Sequence, residues 1–357
     1  MRIAYEKGNI EIYNLLLNTK GIQFSDSIMK GFTNLKEISI PSSVTFLGNH
    51  AFSGCSSLCQ ISIPNSVVSL GDCVFKGCTS LEDIEIPPSV ETIGSKAFYE
   101  CSRLNRITIP PLVTVINDHT FCHCTSLKQI SIPSTLKKIG DSVFDNCTSL
   151  RNITIPSSTT EIGCSVFCDC FLLNEVTILS PITSINVHLF FRCSVLNSIT
   201  IPSSVTSIGD SAFQMCVSLK AVSIPFGVII IERSAFSGCR SLEEIEIPSS
   251  VTEIGSFAFY ECYSLRQIEI PPKIKTIEKF LFSGCSSLTQ ITIPSSVTSI
   301  EEGAFDFCSS ITEMVIPPSV CYVHPNAFVK CSSLKKITIP SSIENLNIPD
   351  SIEVIKK

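Results

Sequence analysis

Histidine and cysteine side chains crowd one short stretch of the chain. His119 and His123 lie four residues apart, with Cys122 between them and Cys124 directly after. Imidazole and thiolate groups are the ligands that zinc prefers in proteins, so this density is typical of a metal site. A second dense group of cysteines follows at Cys164, Cys168 and Cys170.

A strict repeat argues against a zinc site. Cys124 and Cys170 belong to a series of cysteines that recur every 23 residues, so we expect their side chains to face the core of stacked repeats. The other members of the two groups lie two repeats apart, near ~10 Å at the spacing of β-strands, which is too far for one ion. We therefore expect neither a metal nor another cofactor. The series comprises Cys55, Cys78, Cys101, Cys124, Cys147, Cys170, Cys193, Cys216, Cys239, Cys262, Cys285, Cys308 and Cys331.

Nineteen cysteines also raise the question of disulfide bonds. In the 23-residue series every side chain leaves a parallel repeat in the same direction, which gives facing sulfur atoms poor geometry. The series has an odd number of members, so it cannot pair completely. We expect small buried thiols that pack in the core.

Carboxylates gather at two other places. Paired carboxylates can act as acid and base, but the sequence offers no pocket-forming insertion to desolvate them, no Gly-rich phosphate loop and no nucleophile elbow. We expect no enzymatic activity. The acidic groups are Glu82, Asp83 and Glu85, and Glu243, Glu244 and Glu246, with Arg266 and Glu269 one repeat later.

The 23-residue repeat supplies the elements that position these side chains. Each repeat contains Leu-x-x-Ile-x-Ile-Pro, whose alternation predicts a strand with the isoleucines inward and the residues between them outward. Val-x-x-Ile predicts a second, shorter strand, and Ala-Phe-x-x-Cys a single helical turn. The phenylalanines of that motif are Phe52, Phe75, Phe98, Phe121, Phe144, Phe167, Phe190, Phe213, Phe236, Phe259, Phe282, Phe305 and Phe328.

The outward positions of the first strand form the expected recognition face. Glu85, Glu246 and Glu269 interrupt a ladder of hydroxyl side chains on this face. Because like charges on adjacent strands cost stability, their clustering indicates a basic partner. Solvated variation within a duplicated repeat is the alternative interpretation.

A second candidate surface lies where the repeat is least regular. Phe226, Ile229 and Ile230 stand where other repeats carry Ser, Thr, Lys or Glu, and Leu179 replaces the strand-ending proline. An exposed apolar patch of this kind can mark an interface. Drift or local repacking explains it equally well.

The two ends of the chain depart from the repeat. Residues 1–21 have helical apolar spacing and predict a cap, and the stretch with Gly8-Asn9 and Leu15-Leu16-Leu17 resembles part of an ankyrin repeat. Residues 22–357 are expected to form one solenoid. In it, residues 341–357 predict a truncated capping repeat that covers the free sheet edge.

The unit Ala-Phe-x-x-Cys-x-Ser-Leu-x-x-Ile-x-Ile-Pro-x-Ser-Val-x-x-Ile-Gly, as in residues 51–71, closely resembles the BspA-like, or TpLRR-type, leucine-rich repeat. The resemblance implies an α/β, strand-rich, right-handed curved solenoid of about 14 turns, with a parallel sheet on its concave face. It also implies a role in adhesion and protein recognition, often at the cell surface, in bacteria and parasitic protists.

The composition excludes some classes of binding partner. A formal net charge of −6, with lysines and arginines scattered singly, is unsuited to nucleic acid, and no apolar run is long enough to cross a membrane. We expect a module that binds a protein, or less readily a glycan, on its concave face. The alternative is a scaffold arm of a larger intracellular ankyrin and leucine-rich repeat protein. The amino terminus lacks a signal peptide, which favours the cytoplasm, whereas the resemblance favours the cell surface.

Overall fold

The computed structural model describes residues 24–344 and 346–357. They fall into two compact units, an N-terminal unit that ends at Cys170 and a C-terminal unit that begins at Phe171. Each unit is a stack of 23-residue repeats. The predicted helical cap and ankyrin-like stretch of residues 1–21 lie outside the described residues.

Each repeat contributes a short first strand at the predicted Leu-x-x-Ile-x-Ile motif, although the repeats at Ile84 and Ile199 contribute only an isolated bridge. In the N-terminal unit these strands are β1 (Glu37–Ser39), β3 (Gln60–Ser62), β6 (Arg106–Thr108), β8 (Gln129–Ser131) and β10 (Asn152–Ile155). In the C-terminal unit they are β12 (Glu175–Ile178), β15 (Ala221–Ser223), β17 (Glu244–Glu246), β19 (Gln267–Glu269), β21 (Gln290–Thr292), β23 (Glu313–Val315) and β25 (Lys336–Ile339).

The Val-x-x-Ile motif forms a second strand of two residues. In the N-terminal unit these strands are β2 (Phe46–Leu47), β4 (Ser69–Leu70), β5 (Thr92–Ile93), β7 (Val115–Ile116), β9 (Lys138–Ile139) and β11 (Glu161–Ile162). In the C-terminal unit they are β13 (Ser184–Ile185), β14 (Ser207–Ile208), β16 (Ile230–Ile231), β18 (Glu253–Ile254), β20 (Thr276–Ile277), β22 (Ser299–Ile300) and β24 (Tyr322–Val323). The described residues therefore contain thirteen second strands and about 13 turns, one fewer than the 14 expected.

Neighbouring strands pair in parallel with an offset of one repeat. Ile38 of β1 stands beside Ile61 of β3, and Arg106 of β6 beside Gln129 of β8. The central isoleucine is buried in most first strands, and its flanking residues are exposed. The predicted alternation is confirmed, and it leaves one face of the first strands before β25 open to solvent.

The inward phenylalanines stack on one another along each unit. Ring centroids lie 5.4 Å apart between Phe98 and Phe121, and 5.3 Å apart between Phe213 and Phe236. All four rings are fully buried. Offset stacking of buried rings adds to the free energy gained from the area they remove from water. These columns hold the open strand face in place.

The predicted helical turn at Ala-Phe-x-x-Cys is wrong. His50 and Gly54, on either side of Phe52, have positive φ angles of 56° and 77°, a left-handed conformation that interrupts a right-handed helix. The Phe52 N–H donates to the Val74 carbonyl of the next repeat at 2.8 Å, not to a residue four positions earlier. The segment is a tight turn bonded to its neighbour. The described residues contain no α-helix, so the fold is a β-solenoid.

Close packing between repeats explains why a glycine often follows the second strand, just before Asn or Asp. The Asp72 N–H donates to Asn49 Oδ1 of the previous repeat at 2.7 Å. A Cβ atom on Gly71 would lie 2.7 Å from the Asn49 backbone nitrogen, so only glycine fits beside this bond.

The carboxyl-terminal segment covers β25, which is the first strand of the last repeat. Strand β26 (Glu353–Lys356) pairs in parallel with β25, and its offset of 17 residues, as between Ile337 and Val354, is shorter than the usual repeat. This strand occupies the sheet edge that β25 would otherwise expose.

Candidate recognition face

The open side of the first strands carries the predicted acidic residues, and the two acidic groups differ in their pairing. In the N-terminal unit, Arg103 Nη1 lies 3.4 Å from Glu82 Oε1, and Arg106 Nε lies 2.9 Å from Asp83 Oδ1. Both arginines belong to the repeat after the acids. The chain therefore neutralises Glu82 and Asp83 itself, while Glu85 has no ion pair with another described residue.

The acidic group of the C-terminal unit keeps most of its charge. Arg266 Nη2 lies 3.7 Å from Glu243 Oε2. Within the described ranges, Glu244, Glu246 and Glu269 have no cationic partner. We call these three residues, on β17 and β19, the acidic strip.

The register shows why the acidic strip concentrates charge. Glu244 stands beside Gln267, Glu246 beside Ser223, and Glu269 beside Thr292. These neighbours are uncharged, and the same register sets Glu246 and Glu269 at one repeat position on the paired strands β17 and β19, so their repulsion is not relieved within the sheet.

The apolar residues lie on a different face. Phe226 is 73% exposed and Ile229 43% exposed, whereas Ile230 is half-buried in β16 between Ser207 and Glu253. All three belong to the second strand and the turn before it. The structure does not bring them together with the acids on the first-strand face.

Sequence reasoning missed a groove on the first-strand face of the N-terminal unit. It crosses β6, β8 and β10 and has a volume of about 470 Å³. Its cations, Lys128 and Arg151, are one repeat apart at the same repeat position, which is the signal that reading the cations singly overlooked. The lining residues are Asp83, Asn105, Arg106, Lys128, Gln129, Arg151 and Asn152.

Cys122 of the first dense group and Cys168 of the second lie beside the same carboxylate, that of Asp145, which accepts a hydrogen bond from each thiol. Cys122 Sγ lies 3.8 Å from Asp145 Oδ2, and Cys168 Sγ lies 3.6 Å from Asp169 Oδ2. In the described part of the chain, Asp145, Cys168 and Asp169 are the group whose ligand atoms lie close enough, within 4.8 Å, to hold a metal ion. Burial raises the pKa of the Cys122 thiol to about 12, and burial with the nearby carboxylates raises that of Cys168. The thiols are therefore protonated donors to carboxylates, and a metal would first have to displace their protons.

The cysteine series makes a bond that its spacing alone did not indicate. All nineteen cysteines are free. In the series the thiol donates to the carbonyl of the residue 26 positions earlier, which is Met29 for Cys55 and a phenylalanine for later members such as Cys101, whose Sγ lies 3.2 Å from Phe75 O. Burial raises the Cys101 pKa to about 12. A protonated, buried thiol is a poor nucleophile, so the series belongs to the scaffold.

A comparison with protein families matches the repeats to a known family. The BspA type leucine rich repeat region matches residues 22–132, 114–243 and 229–352. The chain belongs to this family. The match begins after the ankyrin-like stretch, which the comparisons do not support. None of the curated proteins compared matches the chain.

Solved structures of several bacterial proteins are similar to this chain along most of its length. A leucine-rich repeat protein from Bacteroides ovatus is 28% identical over 94% of this chain and 87% of its own, with a TM-score of 0.72. A leucine rich cell surface protein from Faecalibacterium prausnitzii is 29% identical over 88% and 82% of the two chains, with a TM-score of 0.55. The pneumococcal vaccine antigen PcpA is 20% identical over 90% and 79%, with a TM-score of 0.58, and shares the fold. The comparisons do not support the expected protist origin or an adhesive role.

The described residues include no helix that is long and apolar enough to cross a membrane.

Proposed function

We propose that this protein is a non-enzymatic recognition module that binds a basic protein surface on the acidic strip. The first-strand face would be the concave face of a right-handed curved solenoid, as in other leucine-rich repeat proteins. The observation that carries the proposal is the position of Glu244, Glu246 and Glu269 on two paired strands of an open sheet face, where no described cation neutralises them. A partner with lysines or arginines spaced like the strands would relieve their repulsion.

Binding without catalysis is consistent with the exposure of these groups. The three carboxylates are exposed on an open face that does not shield a substrate from water. Recognition needs only complementary charge and shape, and the strands hold the carboxylates in fixed register.

The likeness to a cell surface protein supports a place for this chain at the cell surface. We propose that its partner is presented by another cell or by the medium. Antibody labelling of intact and permeabilised cells tests this location. Labelling that requires permeabilisation would contradict it.

The binding proposal is tested with a partner captured from a surface-protein fraction and then purified. We expect Glu244→Gln, Glu246→Gln and Glu269→Gln together to weaken its binding at least tenfold, because the charges that attract the partner are gone while the side-chain volume is kept. The control is Glu37→Gln, Glu175→Gln and Glu313→Gln, which removes the same charge from first strands outside the strip. Equal weakening by both variants would overturn the proposal.

A further inference from the structure

The groove across β6, β8 and β10 holds two cations that have no partner among the described residues. Arg106 is paired with Asp83, but Lys128 and Arg151 make no ion pair or side-chain hydrogen bond with any described residue. They lie on consecutive repeats, so their backbones are about 4.8 Å apart. Like charges at this spacing repel each other, and an anionic group between them would relieve the repulsion.

The rest of the lining is suited to hydroxyl groups. Asn105, Gln129 and Asn152 offer amide donors and acceptors that no described residue satisfies. The groove continues over Thr108 and Ser131, whose hydroxyls point to the same side of the sheet. A ligand that satisfies this lining needs many hydroxyl groups as well as a negative charge.

Two acidic residues at one end of the groove restrict the chemical class of the anionic ligand further. Asp83 lines the groove together with Lys128 and Arg151, and Glu85 lines its continuation beside Thr108 and Ser131. Carboxylates accept hydrogen bonds from hydroxyl groups, which a polyphosphate lacks and a nucleic acid carries sparsely, so these anions satisfy the lining less well than a hydroxyl-rich one does. The lining also lacks an exposed aromatic or large apolar side chain to anchor a peptide.

We propose that this groove binds an acidic oligosaccharide, a chain of sugars that carry carboxylates. A carboxylate lies between Lys128 and Arg151, and the guanidinium can bind it through two parallel hydrogen bonds. The sugar hydroxyls bond to Gln129, Asn152 and Asp83. Because the length of one sugar is close to the strand spacing, successive sugars lie over successive repeats. This site is in the N-terminal unit and does not depend on the acidic strip.

Calorimetric titration of the full chain with a hexamer of galacturonic acid tests the proposal. The protein is produced in bacteria, because Asn152-Ile-Thr154 is an acceptor sequence for glycosylation and a glycan there would fill the groove. We expect binding that Lys128→Ala with Arg151→Ala weakens at least tenfold. The matched control is Lys36→Ala with Lys335→Ala, which removes two cations from the same repeat position outside the groove and should leave the affinity unchanged.

Two further probes separate charge from hydroxyl recognition. A carboxyl-reduced hexamer should bind at least tenfold more weakly than the acid, and hexaglutamate should do the same because it lacks the hydroxyls. Hexaglutamate that binds as tightly as the sugar would overturn the proposal in favour of an acidic peptide. Absence of galacturonate binding, or equal loss in the groove and control variants, would also overturn it. These outcomes leave the acidic strip untouched, since its test uses a different ligand and different residues.

Discussion

The groove and the acidic strip occupy the same repeat positions, five repeats apart, with different charge. Lys128 and Gln129 of the groove correspond to Glu243 and Glu244, and Ser131 corresponds to Glu246. The inward residues at these places are alike, because isoleucine stands at the centre of both β8 and β17. One scaffold thus presents a cationic surface in one unit and an anionic surface in the other. We therefore predict that the outward residues, and not the shared inward residues, select the ligand.

The largest expected effect comes from raising the pH until the buried thiols, which both units share, ionise. Twelve thiols of the cysteine series have raised pKa values because they are buried, and Cys55, Cys101 and Cys331 reach about 12. Thiols of the unfolded chain ionise from about pH 9, whereas the buried thiols of the folded chain stay protonated until the pH nears 12. The free energy of unfolding is therefore at its full value below pH 9 and falls as the pH rises. Each thiol lowers it by about 1.4 kcal/mol per pH unit in this window.

We therefore expect both units to unfold between pH 9 and 11, followed by circular dichroism. In the folded protein at pH 8, iodoacetamide should label the exposed Cys59 and Cys321 before any thiol of the series. A urea midpoint that stays constant from pH 7 to pH 10 would show that buried thiols do not control stability.

The second prediction tests whether the two regions rest on equal cores. Phe121 and Phe236 occupy equivalent positions, and both are fully buried. We expect Phe121→Ala and Phe236→Ala each to lower the free energy of unfolding by about 3–5 kcal/mol, because each opens a cavity in a stacked column. Urea denaturation measures the loss. If one variant lost less than about 1 kcal/mol, the cores would not be equivalent.

The third prediction exchanges the two surfaces. Lys128→Glu, Gln129→Glu and Ser131→Glu give the groove the residues of the C-terminal unit. We expect binding of galacturonate hexamer to weaken at least tenfold, about 1.4 kcal/mol, because its carboxylates now meet carboxylates. A thermal melt checks that the fold is intact, and the single change Ser131→Thr is the control. Retained affinity in the exchanged protein would mean that the scaffold, not the outward residues, selects the ligand.

The smallest effect concerns the acids that the chain neutralises itself. Asp83 and Arg106 are both well exposed, so their ion pair is screened by water. A double-mutant cycle with Asp83→Asn and Arg106→Gln should give a coupling of about 0.2–1 kcal/mol at low salt. A coupling of zero would leave Asp83 as available for a partner as the acidic strip.

Much of the scaffold could be predicted from the sequence because its inward residues recur without interruption. The phenylalanine series and the alternating isoleucines fix the period and the buried face. The tight turn could not be predicted in the same way. Its left-handed residues include His50, Cys73 and Lys96, which carry no glycine signature.

The candidate sites were less predictable, because outward side chains depend on pairing across repeats. Asp83 and Glu244 occupy the same repeat position, yet Asp83 has Arg106 beside it on the next repeat whereas Glu244 has Gln267. Lys128 and Arg151 are separated by 23 residues and look isolated until the register places them side by side. Which outward side chains meet depends on how neighbouring repeats stack, and that is seen only in the structure.

A crystal structure of the chain with galacturonate hexamer tests most directly whether outward residues select the ligand. We predict that a carboxylate of the sugar chain binds both Lys128 Nζ and the Arg151 guanidinium, with its hydroxyls on Gln129 and Asn152. A sugar chain seated on the acidic strip or on the second strands, with the groove empty, would contradict the account.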